Sequence, residues 1–362
     1  MDRDRAFHDV REALSHEHHS DALAAPPCAA DAPVETRLAQ PEDADGLAHC
    51  FYRAYGDTYD HKWVYKPNEI RRRWSEREMV SMVGLAPDGE VIGHLAANFA
   101  NHKSNVAESG QGIVDPRYRG HHLFESIKKS LAEWAGSEGL YGLFSEATTA
   151  HPYSQRGNLA IGAHEMGFLI GYIPSGVDYK QTKTSQASRR KTAALMYLRT
   201  GKEPERMVHL PPLYRDMAMG VYENAGFVRT AATADAALSS GECSVVVQRD
   251  HDHNAVLLQC RSVGPNTRET ISTQLETLKK EAVDCVYVDL PLADPGVVLL
   301  GEALSSLGFV FSCILPETRE DGDELRLQYL HGVDPHIEEI ATSSDFGRGL
   351  LAEIAASLAK TD

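Results

Sequence analysis

Arg117-Tyr118-Arg119-Gly120 places two guanidinium groups and a glycine between a strand-like run, Val106 to Val114, and an amphipathic run that begins at Leu123. The chemistry offered by such a junction is anion binding. The first turn of a helix leaves N–H groups unpaired and carries the positive end of the helix dipole, so a phosphate or pyrophosphate fits there. Neighbouring arginines strengthen the site through charge-assisted hydrogen bonds. The plain alternative is an ordinary strand-to-helix connection with solvated arginines. Leu123, Phe124, Ile127, Leu131 and Trp134 recur at helical spacing, while Glu125, Lys128, Lys129 and Glu133 fill the other face, so the run after the turn is predicted to be a helix.

The run from Ile113 to Phe124, IVDPRYRGHHLF, resembles the pyrophosphate loop of the GNAT family of N-acetyltransferases. After its fourth strand that family reads roughly V-x-P-x-x-[RQ]-x-x-G-x-[GA]. Val114 and Pro116 match, and Arg119 falls on the first loop position. His122 stands where the family has Gly, and Phe124 where it has Gly or Ala. The resemblance implies acetyl-CoA or another acyl-CoA as co-substrate, held by Ile113, Val114, Arg117, Arg119, Gly120, His121, His122, Leu123 and Phe124.

The resemblance also implies a base on the fourth strand, and Glu108, six residues before Val114, is the candidate. A carboxylate beside an apolar strand has a raised pKa suited to that role; a salt-bridged surface Glu is the alternative. The family's proton donor is a Tyr four residues before the Gly of a Gly-Phe helix ending. Counted back from Gly167, that position holds Ala163, so the usual donor is missing. His164 is adjacent but about 100° round a helix, and Tyr153 lies near the helix start. His151 ends the strand-like run YGLFSEATTA, where the family's splayed strands admit pantetheine. It is the second catalytic candidate, because a His titrates near neutrality. Ser154 and Gln155 follow at the start of the next helix and are placed to hydrogen-bond pantetheine or substrate, with helix capping as the alternative for Ser154.

The chain has 362 residues, 42% of them hydrophobic, enough for two domains with filled cores. A formal net charge of -16 argues against a general nucleic-acid-binding surface and suits cationic amine substrates. Six Cys without a C-x-x-C pair point to reduced thiols in a cytoplasm. No apolar run is long enough to span a bilayer, and the charged N-terminus does not read as a signal peptide. G-x-S-x-G is absent, which removes the usual serine-nucleophile reading. Asp250-His251-Asp252-His253 invites a metal reading, but alternation along a strand splits it between two faces, and a polar hairpin tip is expected. Arg189-Arg190-Lys191 after Ser188 reads as a solvated basic loop, with the CoA 3′-phosphate as its other use.

Around the junction, Val34 to Thr200 reads as β-α-α-β-β-β-α-β-α-β-β, the whole order of the acetyltransferase fold. Pro87-Asp88-Gly89 marks a hairpin, and the last helix is expected to end near Gly167. Later, Tyr222 to Phe227 resembles the Y-x-x-x-G-F ending that the family uses. Asn266 with Glu269 reads as a capping box, and strand, helix, strand and strand follow through Gly332. Gly167-Phe168 and Gly308-Phe309 look like matching helix endings, which suggests an internal duplication.

The expected architecture is α/β: two tandem GNAT-like domains, each a mixed sheet flanked by helices, with the second copy degenerate and unable to bind CoA. The boundaries read as a flexible arm over 1–33, an acyl-CoA-binding domain over 34–203, a degenerate domain over 204–335 and a terminal helix over 336–362. The expected reaction is N-acyl transfer, most simply acetyl, to a small amine or metabolite by direct attack, without metal. Two rivals stay open: a non-catalytic acyl-CoA-binding regulatory module, and other thioester chemistry such as hydrolysis or decarboxylation. The expected partner is a small amine, with no nucleic acid or membrane, and a homodimer is left open.

Overall fold

The computed structural model describes residues 34–59, 61–101, 103–120, 122–175, 189–232 and 241–360. The arm expected over 1–33, Ser188 and His121 lie outside the described residues. The chain divides into two compact units, 1–145 and 146–362.

In the first unit, strands β1 (Glu35–Leu38), β2 (Met79–Leu85), β3 (Val91–Asn98) and β4 (Val106–Val114) form an antiparallel meander. Helices α1 (Asp43–Tyr55) and α2 (Pro67–Ser75) lie between β1 and β2, and Pro67 opens α2 at the position where a missing N–H costs nothing. Alternation along β2 sends Met79 and Val83 to one face, with Leu47 and Phe51 of α1, and Met82 to the other. That second face is covered by Leu123, Ile127, Leu131 and Ala135 of α3 (Leu123–Ser137). α3 crosses to β5 (Gly142–Thr148), which is parallel to β4 but pairs with it only from Val106–Gly142 to Glu108–Phe144.

β4 carries one extra residue against β3. His94 pairs with Ile113 and Ala96 with Gly110, so Gln111 and Gly112 together oppose Leu95, and Gln111 sits at φ 50°. Fully buried His94 holds this bulge. Its Nδ1 lies 2.9 Å from the Gln111 carbonyl oxygen, which only accepts, so the ring donates there. Its Nε2, 2.7 Å from Ser81 Oγ, is then the acceptor, and Trp74 Nε1 donates to the same hydroxyl at 2.9 Å. Burial pushes the His94 pKa down to about 4. The unfolded chain therefore takes up this proton first. Stability is complete above the ordinary pKa of about 6.5 and is lost as pH falls from there through 4, by ~3 kcal/mol for this group. Thermal melts across that window should show the loss, and His94→Asn should flatten it.

The second unit runs α4 (Tyr153–Ala160), β6 (His164–Ile173), β7 (Lys191–Arg199), β8 (Arg206–Val208), α5 (Arg215–Ala225), β9 (Arg229–Ala231), β10 (Ser244–Asp250), β11 (Ala255–Ser262), α6 (Thr267–Lys280), β12 (Cys285–Pro291), α7 (Leu300–Ser305), β13 (Val310–Arg319), β14 (Gly322–Leu330) and α8 (Asp345–Leu358). Its main sheet is ordered β7-β6-β13-β14-β12-β11-β10, in which β11 and β12 are the parallel pair. β8 and β9 form a separate two-stranded parallel sheet.

Several expectations change here. α4 ends at Ala160, not near Gly167. Gly162 takes φ 87°, its N–H reaches Leu159 O, and Ala163 N–H reaches Asn158 O, which closes the helix with a left-handed cap and starts β6 at His164. Gly167 is instead a strand residue at φ 149°, paired with Cys313. A Cβ there would lie 2.0 Å from the Ser312 carbonyl oxygen, so only glycine lets β6 and β13 meet. The ending at Gly162-Ala163 has the same form as that of α7 at Gly308-Phe309, where Gly308 takes φ 91° and the Phe309 N–H reaches Leu304 O. The Asn266–Glu269 capping box does not form, because Asn266 Oδ1 accepts from the Cys243 N–H at 2.8 Å. The tail is a strap with one 3₁₀ turn over Ile337–Glu339, and α8 begins only at Asp345, capped by Ser344.

The hairpin tip at Asp250–His253 docks on β6. The Tyr172 and His253 rings stack at 4.4 Å, and both side chains donate to Asp250 Oδ2. Arg190 is not a solvated loop residue: it donates to the carbonyls of Gly171, Tyr172 and His253 and pairs with Asp284 at 2.9 Å. Toward the other end of β14, Arg229 and Asp323 form a fully buried pair at 2.6 Å. Tyr222 donates to Asp323 at 2.7 Å, and Glu317 bridges Arg229 and Arg206. Burial works against the Arg229 cation, but Asp323 and its neighbours outweigh it and hold the pKa above the usual value. Among the described residues no helix is long and apolar enough to cross a membrane, and Cys50, Cys243, Cys260, Cys285 and Cys313 are free.

Candidate active site

β4 delivers the chain to the basic junction, and Asp115 turns it. Asp115 is fully buried; its carboxylate accepts from the Arg117 N–H at 2.9 Å and from the Arg117 and Arg53 guanidinium groups at 2.8 and 2.5 Å. Glu90 joins both arginines at 2.8 and 3.1 Å. Burial opposes the Asp115 carboxylate, yet Arg117 and Arg53 hold its pKa below the ordinary range. The Arg117 guanidinium is thus engaged in fixing the loop, which differs from its expected contact with CoA. Asp115, Glu90 and Arg53 were missed in the sequence, because Glu90 and Arg53 lie far from the loop along the chain.

Arg119 stands apart. It is half-buried, and it makes no hydrogen bond or ion pair among the described residues. Burial pushes its pKa down from the usual arginine value, outweighing the more distant attraction of Tyr55, Asp115 and Cys50. Directly after it Gly120 takes φ 83° and His122 φ 55°, and α3 starts with no side chain capping it. Its first N–H groups therefore remain available to an anion. A non-glycine residue in the left-handed region costs about 1–2 kcal/mol, so His122 strains the loop where the family's glycine would not. Its ring is exposed and meets Glu125 at 3.1 Å.

The other expected contacts divide. Ile113 and Leu123 are core side chains, 3% and 2% exposed, so only their backbone can face a ligand. Val114 is half-buried against the α3 cluster. Phe124, in place of a small residue, lays its ring on the bulge. A Cβ on Gly112 would come within 2.7 Å of Phe124 Cε2, so the missing side chain at Gly112 offsets the extra one at Phe124.

Glu108 is exposed on β4 at the last residue pair with β5, and Ser109 to Val114 continue beyond that ladder. Its Oε1 lies alongside Gly110, and its backbone carbonyl faces Asn98, whose amide also donates to Gln111 Oε1 at 2.7 Å.

In the second unit, His151 follows the end of β5. Its ring lies 5.3 Å from that of Tyr153, and burial pushes its pKa down. Ser154 does not cap α4; its Oγ is buried without a hydrogen-bond partner among the described residues. Gln155 is fully buried and donates to the Ala341 carbonyl at 2.7 Å. With α4 ending at Ala160 and its left-handed cap glycine at Gly162, the position four residues before that glycine is Asn158 rather than Ala163. Asn158 donates to Ser154 O at 2.9 Å, so no Tyr acid stands there either.

Residues 45–168 match the profile described as Acetyltransferase (GNAT) family. No curated protein matches the sequence. Among solved structures, the ribosomal-protein-S18-alanine N-acetyltransferase from Escherichia coli is similar at 15% identity and TM-score 0.38, over 48% of this chain and 97% of that one. A phosphinothricin acetyltransferase from Sinorhizobium meliloti is similar at 17% identity and TM-score 0.38, over 47% and 92%. The putative acetyltransferase yncA from Salmonella typhimurium is similar at 13% identity and TM-score 0.39, over 48% and 96%. Over residues 45–168 the chain carries a domain of the acetyltransferase (GNAT) family.

Proposed function

We propose that the chain transfers the acetyl group of acetyl-CoA to the amine of a small molecule by direct attack, with no covalent enzyme intermediate. The observation that carries this reading is Arg119: a half-buried cation with no hydrogen bond or ion pair among the described residues, four residues before the uncapped helix that starts at Leu123. Arg119 and the first N–H groups of α3 would hold the pyrophosphate, while Arg117, Asp115, Arg53 and Glu90 keep the loop in shape. Glu108 takes the proton that the amine loses as its nitrogen bonds to the acyl carbon. His151, in the second unit, gives a proton to the departing thiolate; that part is proposed and tested by itself.

We read the second half as a degenerate copy of the fold, with repeat boundaries at 34–203 and 204–335. In support, β10-β11-β12 repeats the antiparallel-then-parallel pairing of β3-β4-β5, and β14-β13 repeats β7-β6. Its connection into α6, Val263-Gly264-Pro265-Asn266, holds no arginine, so it is given no CoA. The acidic balance of -16 favours a cationic acceptor.

Calorimetric titration of acetyl-CoA into wild type and Arg119→Ala tests the site. The variant should lose ~1.5–3 kcal/mol, about 10- to 150-fold in affinity, the scale of a hydrogen bond to a charged group. One equivalent should bind per chain. Unchanged affinity would remove Arg119 from the pyrophosphate, and two equivalents would contradict the degenerate reading of the second half.

A further inference from the structure

The turn that carries His151 is gripped from two sides. On one side, Thr149 donates from both its N–H and its Oγ1 to the Thr192 carbonyl of β7, at 2.9 and 2.8 Å. On the other, the strap between β14 and α8 crosses it. Ala341 N–H donates to the Thr149 carbonyl at 3.1 Å, and Gln155 Nε2 donates to the Ala341 carbonyl at 2.7 Å. One strap residue thus bonds on both sides of His151. The strap is itself pinned at both ends: Arg189 pairs with Glu339 at 2.7 Å, and Ser344 Oγ donates to Glu165 Oε1 at 2.5 Å.

Gln155 shows that this contact has a use beyond filling space. Its side chain is fully buried, yet its Oε1 has no hydrogen-bond partner among the described residues. A buried amide with one end unsatisfied costs more than an apolar side chain of the same shape, so space-filling alone would favour Met or Leu. What the amide adds is its Nε2 contacts, to the Ala341 carbonyl of the strap at 2.7 Å and, longer at 3.5 Å, to the Thr148 carbonyl. α4 has no side-chain cap of its own to fix the turn.

We infer that Gln155 and the backbone of Ala341 are positioning groups for His151, so that the C-terminal strap sets the orientation of the proton donor. This rests on the part proposed for His151. It gives the segment beyond the degenerate copy a task in turnover without requiring it to touch the substrate.

The test is steady-state thiol release by the full chain, with kcat and the KM for acetyl-CoA measured separately. Gln155→Met keeps the volume and removes the donor; it should lower kcat by about 10- to 100-fold and leave KM unchanged, since a small misplacement of a reacting group costs that much. Ala341→Pro deletes the N–H and should act alike, while Ala341→Gly keeps both backbone groups and should turn over like wild type. The deciding arm is Gln155→Met in a His151→Ala background, where it should cost nothing further, because both changes remove one effect. Multiplicative losses there, or Gln155→Met with a lowered melting temperature and wild-type kcat, would overturn the inference. Should Ala341→Pro not fold, the Gln155→Met arms decide alone. Wild-type turnover in His151→Ala would sink the reading of His151 itself, whereas a slow His151→Ala beside a fast Gln155→Met would sink only the strap.

Discussion

Glu108→Gln should lower amine-dependent thiol release by ~10²–10⁴-fold while the affinity for acetyl-CoA stays near that of wild type. The glutamine keeps the shape of the side chain at the point where β4 leaves β5, and it keeps an oxygen beside Gly110. It cannot take a proton. A loss in kcat without a rise in KM is the pattern expected when an interaction made only in the transition state is removed. A variant as fast as wild type would take Glu108 out of the mechanism and leave the loop reading untouched.

The largest expected effect on stability lies in the second unit. Asp323→Ala removes the main partner of Arg229 and the acceptor of the Tyr222 hydroxyl, with both side chains of the ion pair sealed from solvent. Removing one member of a buried pair leaves a charge that can neither hydrate nor be fully neutralised, and costs ~3–5 kcal/mol. Glu317 still reaches Arg229 at 2.9 Å, so the loss should fall at the lower end of that range. Urea unfolding followed by tryptophan-independent circular dichroism would show a lower midpoint for the second unit. An unchanged midpoint would mean that the network contributes nothing net.

What could be read along the sequence was what neighbouring residues decide together. The helical period from Leu123 to Trp134, the hairpin at Pro87-Asp88-Gly89 and the basic junction are local patterns, and α3, the β2–β3 hairpin and the uncapped helix start appear where those patterns place them. Arg117 and Arg119 looked alike because the difference between them is tertiary. Arg117 is claimed by Glu90, which comes from the preceding hairpin, while Arg119 makes no ion pair among the described residues. The bulge that shapes β4 depends on His94, one strand away, and no pattern within β4 announces it. Gly167 was misplaced because Gly-Phe after a helical run looks like a helix ending. The demand on that glycine comes instead from Ser312, well over a hundred residues later. The capping box at Asn266 failed in the same way, since Cys243 from another segment takes the side chain that would have capped the helix.

The most direct test of the central claim is the release of free thiol from acetyl-CoA by wild-type protein, followed with and without a panel of amines that includes cationic ones. Transfer as proposed predicts that release depends on the amine and that the acetylated amine accumulates in step with the thiol. Protein that binds acetyl-CoA but releases no thiol with any amine would contradict it in favour of a sensor, and release at the same rate without amine would contradict it in favour of hydrolysis.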